Sequence, residues 1–263
     1  MRRTFGVLAG AAVLIGMAGV PADAIVYGEF DGNRHPQVGA LVAEWRTDGV
    51  KDLLCTGTIV EEPDVFVTAA HCTEFLRSIG IGPDEVWVTF DPTFDQSSPL
   101  IPGTYVSHPE FGHEQADPKD IAVVLLERPH EATPADLPTL NQLGQMKAAM
   151  TIDDQRYTAV GYGTVRESRR TGSQGILDNT ERRFATQTYN ALTASWLKLS
   201  MNEATGDGGT CFGDSGGPHF LADTDLIVSI TVTGDAVCKA TDVTYRLDTP
   251  VARDFLDEFV SVP

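Results

Sequence analysis

Beyond residue 24 the chain alternates short apolar runs with Gly, Pro and Asp turns. Runs at 38–45 (VGALVAEW), 85–90 (EVWVTF), 121–126 (IAVVLL), 157–163 (YTAVGYG), 196–201 (WLKLSM) and 226–232 (LIVSITV) are rich in β-branched and aromatic residues. Within 85–90, Val86, Val88 and Phe90 alternate with Glu85, Trp87 and Thr89, the period of a half-buried strand. Helical periodicity is scarce. Its clearest instance is near the C-terminus, where Asp248 or Thr249 can cap, Pro250 suits a first turn, and Val251, Phe255, Leu256 and Phe259 share a face. The pattern predicts an all-β sandwich or barrel closed by a helix over about 249–260. A Pro-rich polar stretch at 127–138 reads as a connector between two halves, and the charged, aperiodic stretch at 166–183 as an exposed, cleavable loop.

The first 24 residues follow a different rule. Arg2 and Arg3 precede an apolar run from Phe5 to Val20, and Ala22-Asp23-Ala24 offers small residues where a signal peptidase cuts. The run is short for a membrane span, which needs about 20 residues. The expectation is therefore an exported protein whose working chain is 25–263, with Ile25 as its first residue. No later stretch is long and apolar enough to span a membrane.

A net charge of −18, made slightly more negative when the leader arginines go, disfavours nucleic acid and anionic membrane as partners. The four cysteines, Cys55, Cys72, Cys211 and Cys238, all follow the leader. An even count in an exported chain predicts two disulfides. Of three pairings, the one within each half, Cys55–Cys72 and Cys211–Cys238, is favoured. No C-x₂-C pair argues for zinc. His108 and His113, with Glu110, Glu114 and Asp117, form a polar cluster that reads as an exposed loop rather than a metal site. No cofactor and no metal are expected.

Three motifs carry chemistry. In VTAAHC (67–72) a β-rich run ends in small residues followed by His71, a natural general base near neutral pH. In KDIAVVLL (119–126) Asp120 stands at the mouth of an apolar run, where a carboxylate is costly unless paired. As a partner for a histidine it would hold the imidazole tautomer. In GTCFGDSGGP (209–218) Ser215 is flanked by glycines that permit unusual backbone angles and close substrate approach.

Together these motifs resemble the trypsin-like (chymotrypsin-type) serine proteases. TAAHC, DIAVVLL and GDSGGP occur in that family's order, with secondary matches in IVYG (25–28), AVGYGTV (159–165) and YRLDTPVARDFL (245–256). The resemblance implies two six-stranded antiparallel β-barrels, about 25–135 and 136–247, with the active site between them and a C-terminal helix. It implies Ser215 as nucleophile, His71 as its base, Asp120 as the orienting acid, and the N–H groups of Gly213 and Ser215 as the oxyanion hole. It also implies that a free amino group at Ile25 pairs with Asp214. Because the leader abuts IVYG, signal removal alone would create that terminus. The implied partners are polypeptide substrates and a protein inhibitor, for a secreted monomer.

The specificity pocket departs from the family. Gly209 stands where a relative cutting after Lys or Arg has Asp, followed by Thr210. The facing wall reads Val232-Thr233-Gly234 in place of Ser-Trp-Gly. A one-residue slip after Cys238 would bring either Asp242 or Val243 to face the pocket. The floor favours an apolar or small side chain before the cut; Asp242 facing inward would favour Arg or Lys. A catalytically weak or silent relative that only binds a partner is the alternative function. An esterase is chemically allowed but unselected, since the His-Asp-Ser order differs from that of α/β-hydrolases.

Overall fold

A computed structural model describes residues 25–166 and 176–263; the leader reading (1–24) and half of the charged loop reading (167–175 of 166–183) fall outside these residues. A short strand β1 (Glu29–Phe30) is followed by β2 (Val38–Thr47), β3 (Val50–Ile59), β4 (Val65–Thr68), β5 (Val86–Thr89), β6 (Ile101–Ser107) and β7 (Ala122–Leu126). The last six close into an antiparallel barrel in the order β2-β3-β4-β7-β6-β5. The second half contributes β8 (Arg156–Gly161), a small hairpin of β9 (Val165–Arg166) and β10 (Ile176–Leu177), then β11 (Arg183–Leu192), β12 (Trp196–Ser200), β13 (Pro218–Leu221), β14 (Ile227–Gly234) and β15 (Thr241–Arg246). The ring β11-β12-β15-β14-β13-β8 closes through a β8–β11 pairing, giving a second six-stranded barrel. Closure leaves neither barrel with an unpaired edge across the ring.

The apolar runs build these strands. Val86 and Val88 of β5 are buried in the first core with Leu41, Phe66 and Val124, and the half-buried Phe90 stacks on His130. Three helices complete the fold: α1 (Ala70–Ser78), α2 (Gln142–Ala148) and α3 (Pro250–Leu256). Thr249 caps α3 by accepting from the Ala252 N–H, and Phe255 and Leu256 seal it onto the core. The helix is thus shorter than the 249–260 span expected, with Phe259 continuing the packing beyond it. The pattern does not reveal α1 and α2: each is too short to display a full apolar stripe.

The start of the chain also differs from expectation, because it serves the second barrel. β1 pairs with β11, and Val26 bridges to Gly209. This crossing is fixed by a fully buried guanidinium. Arg182, just before β11, donates from Nε to Asp31 Oδ2 at 2.8 Å and from Nη2 to the Gly32 carbonyl at 2.9 Å. Its Nη1 donates to the carbonyls of Val38 and Phe90 in the first barrel, at 2.9 and 3.0 Å. Burial would push the Asp31 carboxyl up, but the His35 hydrogen bond and the Arg182 charge outweigh it and hold the group below its usual range. Replacing Arg182 by Met should cost about 3–5 kcal/mol in urea unfolding, since Asp31 would lose the charge that balances it in the interior. An unchanged midpoint would show that the clamp contributes nothing.

Candidate functional site

The histidine and carboxylate motifs meet on the first barrel. Thr68 ends β4, Ala69 and Ala70 turn the chain, and His71 lies in the first turn of α1. The adjacent Cys72 is bonded to Cys55 of β3, which anchors that turn to the sheet. Asp120 stands two residues before β7, almost wholly buried. Its Oδ1 accepts from the His71 backbone N–H at 2.8 Å, and its Oδ2 lies 2.8 Å from His71 Nδ1. In a neutral imidazole a carboxylate at that position favours the tautomer with the proton on Nδ1, whose Nε2 is an acceptor. The imidazole remains 34% exposed, so a reactant can reach it.

The serine motif comes from the second barrel, between the second disulfide and β13. Its loop is held against the first barrel by three contacts. The Thr56 N–H donates to the Ser215 carbonyl at 2.9 Å, and the Thr56 hydroxyl donates to the Gly213 carbonyl at 2.9 Å. Gly216, at φ +79°, packs so closely that a Cβ there would fall 2.2 Å from Thr68 Oγ1 and 2.6 Å from the Ala69 nitrogen. Only glycine permits this approach, and it sets Ser215 beside the segment that carries His71. Among the described residues, the N–H groups of Gly213 and Ser215 donate to no protein acceptor.

Asp214 faces away from this surface and is fully buried. Its oxygens accept from the N–H groups of Gly163 and Cys211, each at 2.8 Å. A Cβ on Gly163 would lie 2.4 Å from the Asp214 carboxyl carbon, which accounts for the glycine in the AVGYGTV stretch. Desolvation raises the Asp214 carboxyl to about 7, against the pull of those two donors. Ile25 and Val26 are also fully buried in this region. Val26 exchanges a backbone bridge with Gly209 and packs on the Cys211–Cys238 disulfide.

Beside Ser215 lies a cavity of about 120 Å³. Of the residues expected around it, Thr210, Val232, Thr233 and Gly234 line it, whereas Gly209, Asp242 and Val243 do not. Met201 lies directly against Gly209, where an added Cβ would fall 2.1 Å from its Cγ. Asp242 and Val243 are strand residues of β15, paired with Gly234 and Thr233 of β14. The fully buried Asp242 carboxylate accepts from Gln187 Nε2 and sits 3.0 Å from His219 Nε2. Asp235, at the cavity edge, engages the N–H groups of Lys239, Ala240 and Thr241. Cys55, His71 and Cys72 cluster closely enough to hold a metal, but both sulfurs belong to the disulfide. Near Asp120, Glu110 pairs with Lys119, and Asp117 accepts from the Tyr245 hydroxyl.

Two β-barrels that bring a His–Asp pair and a glycine-framed serine to their junction define a serine-protease architecture. The family model for trypsin matches residues 31–257, and the chain belongs to that family. A curated relative, the venom plasminogen activator Haly-PA of Gloydius brevicauda, is 27% identical over 192 residues, 68% of this chain. The match spans 66% of that relative, slightly under two thirds of its length. The solved structure of HL collagenase superposes with a TM-score of 0.63 at 17% identity, covering 88% of this chain and 96% of that one; the likeness is one of fold.

Sequence reading passed over Thr56, Met201, and the Gln187 and His219 side chains that meet Asp242. Thr56 directly follows a cysteine of the first disulfide, which was the one local signal. Its hydroxyl both donates to Gly213 and accepts from the Tyr162 N–H at 3.1 Å. Thr56→Val keeps the shape but strands that N–H, and should lower stability by about 1–3 kcal/mol in chemical denaturation. A neutral result would remove Thr56 from the set of groups holding the serine loop.

Proposed function

We propose that the chain is a secreted serine endopeptidase acting through His71, Asp120 and Ser215. The observation that carries the reading is the twofold hydrogen bonding of Asp120 to His71, which in the neutral imidazole directs the proton to Nδ1 and leaves Nε2 as the free acceptor. Ser215 Oγ attacks the scissile carbonyl while His71 Nε2 takes its proton. Charge on the carbonyl oxygen is met by the N–H groups of Gly213 and Ser215. His71 then returns the proton to the leaving amine, and water repeats the cycle on the acyl-enzyme. Secretion is supported by the leader pattern and by two disulfides.

The residue before the cut is read as apolar or small. Gly209 carries no charge, Met201 fills the space beneath it, and Asp242 is turned into a buried hydrogen-bonded set. Peptide hydrolysis should favour such residues over Arg and Lys. Asp120→Asn should lower kcat by about 10⁴-fold, and Ser215→Ala should abolish labelling by a serine-directed phosphonofluoridate. Hydrolysis that survives Ser215→Ala would sink this reading.

Activation follows from Asp214. The unpaired acid has a folded pKa near 7, above its ordinary 3.8. Its contribution to stability is therefore full below about 3.8 and is lost as pH rises through about 7. A free ammonium at Ile25 would pair with the carboxylate and remove that loss. A form with one alanine ahead of Ile25 should show a melting temperature that falls from pH 5 to 8. A form beginning at Ile25 should not, until its own amino group deprotonates. Superimposable pH profiles for the two forms would defeat the pairing.

A further inference from the structure

Phe212, 59% exposed, separates the cavity beside Ser215 from a second hollow on the far side of Gly213. The second hollow has a volume of about 390 Å³ and includes Trp45, Asp52, and Asp178 paired with Arg46 at 3.7 Å. Trp45 also forms the wall of a third, of about 510 Å³, formed with Glu44, Asp48, Phe75, Glu85 and Trp87. The hollows thus form one track leading away from Ser215 across the outside of the first barrel. If the acyl side chain enters the cavity beside Ser215, the opposite side of Gly213 receives the leaving-group side of the substrate.

The chemistry of the track is specific. Its floor is aromatic, with Trp45 and Phe75 edge to face at 5.8 Å, and Phe75 and Ile79 are 40% and 46% exposed. Its rim is acidic. Among the described residues Asp48, Asp52 and Glu85 have no ion-pair partner, although Glu85 accepts from the Gly82 N–H. The protein already shows which group suits such a surface. Lys51 Nζ lies 4.1 Å over the Trp87 ring and 3.5 Å from Glu44 Oε1, and Arg46 lies 4.5 Å over Trp45. A basic side chain matches both properties: its methylene stem covers apolar surface, and its charge meets the unpaired carboxylates.

We propose that this track binds the leaving-group side of a polypeptide substrate bearing lysine or arginine a few residues downstream of the cut. The assignment rests on the endopeptidase reading above. Its occupant follows from charge complementarity and from continuity with the cleft.

Two peptides with the same acyl side, one lysine-rich and one glutamate-rich downstream, test it alongside a short ester that has no downstream residues. The lysine-rich peptide should be cleaved about three- to tenfold faster in kcat/KM, an advantage that shrinks as salt is raised. The double variant D48N/E85Q should lose the advantage while hydrolysing the ester at the parental rate. Equal rates for the two peptides, or a preference that survives in D48N/E85Q, would overturn the proposal. If neither peptide nor ester is cleaved, the endopeptidase reading fails by itself. The track is then read by tryptophan fluorescence titration of Ser215→Ala with the two peptides. Selective binding of the lysine-rich one, weakened by D48N/E85Q, upholds it, and indifferent binding overturns it.

Discussion

The site exists only because the two barrels dock along one dry seam. His71 and Asp120 belong to the first barrel, and Ser215 to the second. The seam is made of backbone-scale contacts: the Thr56 amide and hydroxyl on Ser215 and Gly213, and Gly216 against Thr68 and Ala69. Such contacts tolerate displacements of only a few tenths of an ångström, so they fix the serine loop relative to the segment before His71 more tightly than side-chain packing alone. The Arg182 guanidinium extends the same seam, binding carbonyls from both sides of the junction while its charge is balanced by Asp31.

The serine loop has a second dependence, on a carboxyl group that it buries itself. Asp214 ties Gly163 and Cys211 together through their amides, and so braces the loop that carries Gly213 and Ser215. Its desolvation leaves the group undecided between charged and neutral near physiological pH, in a region where Val26 and the Cys211–Cys238 bridge exclude water. A loop whose shape depends on one buried ionisation is well suited to control by a cation arriving from elsewhere in the chain.

Much of this was legible in the residues, and the remainder was hidden for identifiable reasons. Strand runs such as 85–90 and 121–126 carry their own period, and β5 and β7 form there. The His, Asp and Ser motifs were visible because each departs from strand grammar: a polar residue beside small ones, or a carboxylate before an apolar run. Two six-stranded barrels, in contrast, followed from family resemblance, since period alone does not separate a barrel from a sandwich. The pocket was the least readable part. Counting along the chain placed Asp242 or Val243 toward the cavity. The residues that face it are instead set by a register shift between Thr231 and Thr233, which no one-dimensional count contains. Thr56 and Met201 were missed because an ordinary threonine and methionine acquire their roles only from partners far away in sequence.

The short strand β1 has a further consequence, for the order of assembly. Glu29 and Phe30 close their pairing with Phe184 and Arg183, and Asp31 meets Arg182 across 151 positions. Strand β1 has no pairing partner until most of the polypeptide exists. The leading segment stays unattached until β11 has been made. Such distant closures lose much chain entropy before they gain any contact, which makes them late and slow steps. The final docking event thus closes β1 onto β11 and completes one apolar core that runs from Leu41 and Phe66 of the first barrel to Phe220 of the second and Leu256 of α3.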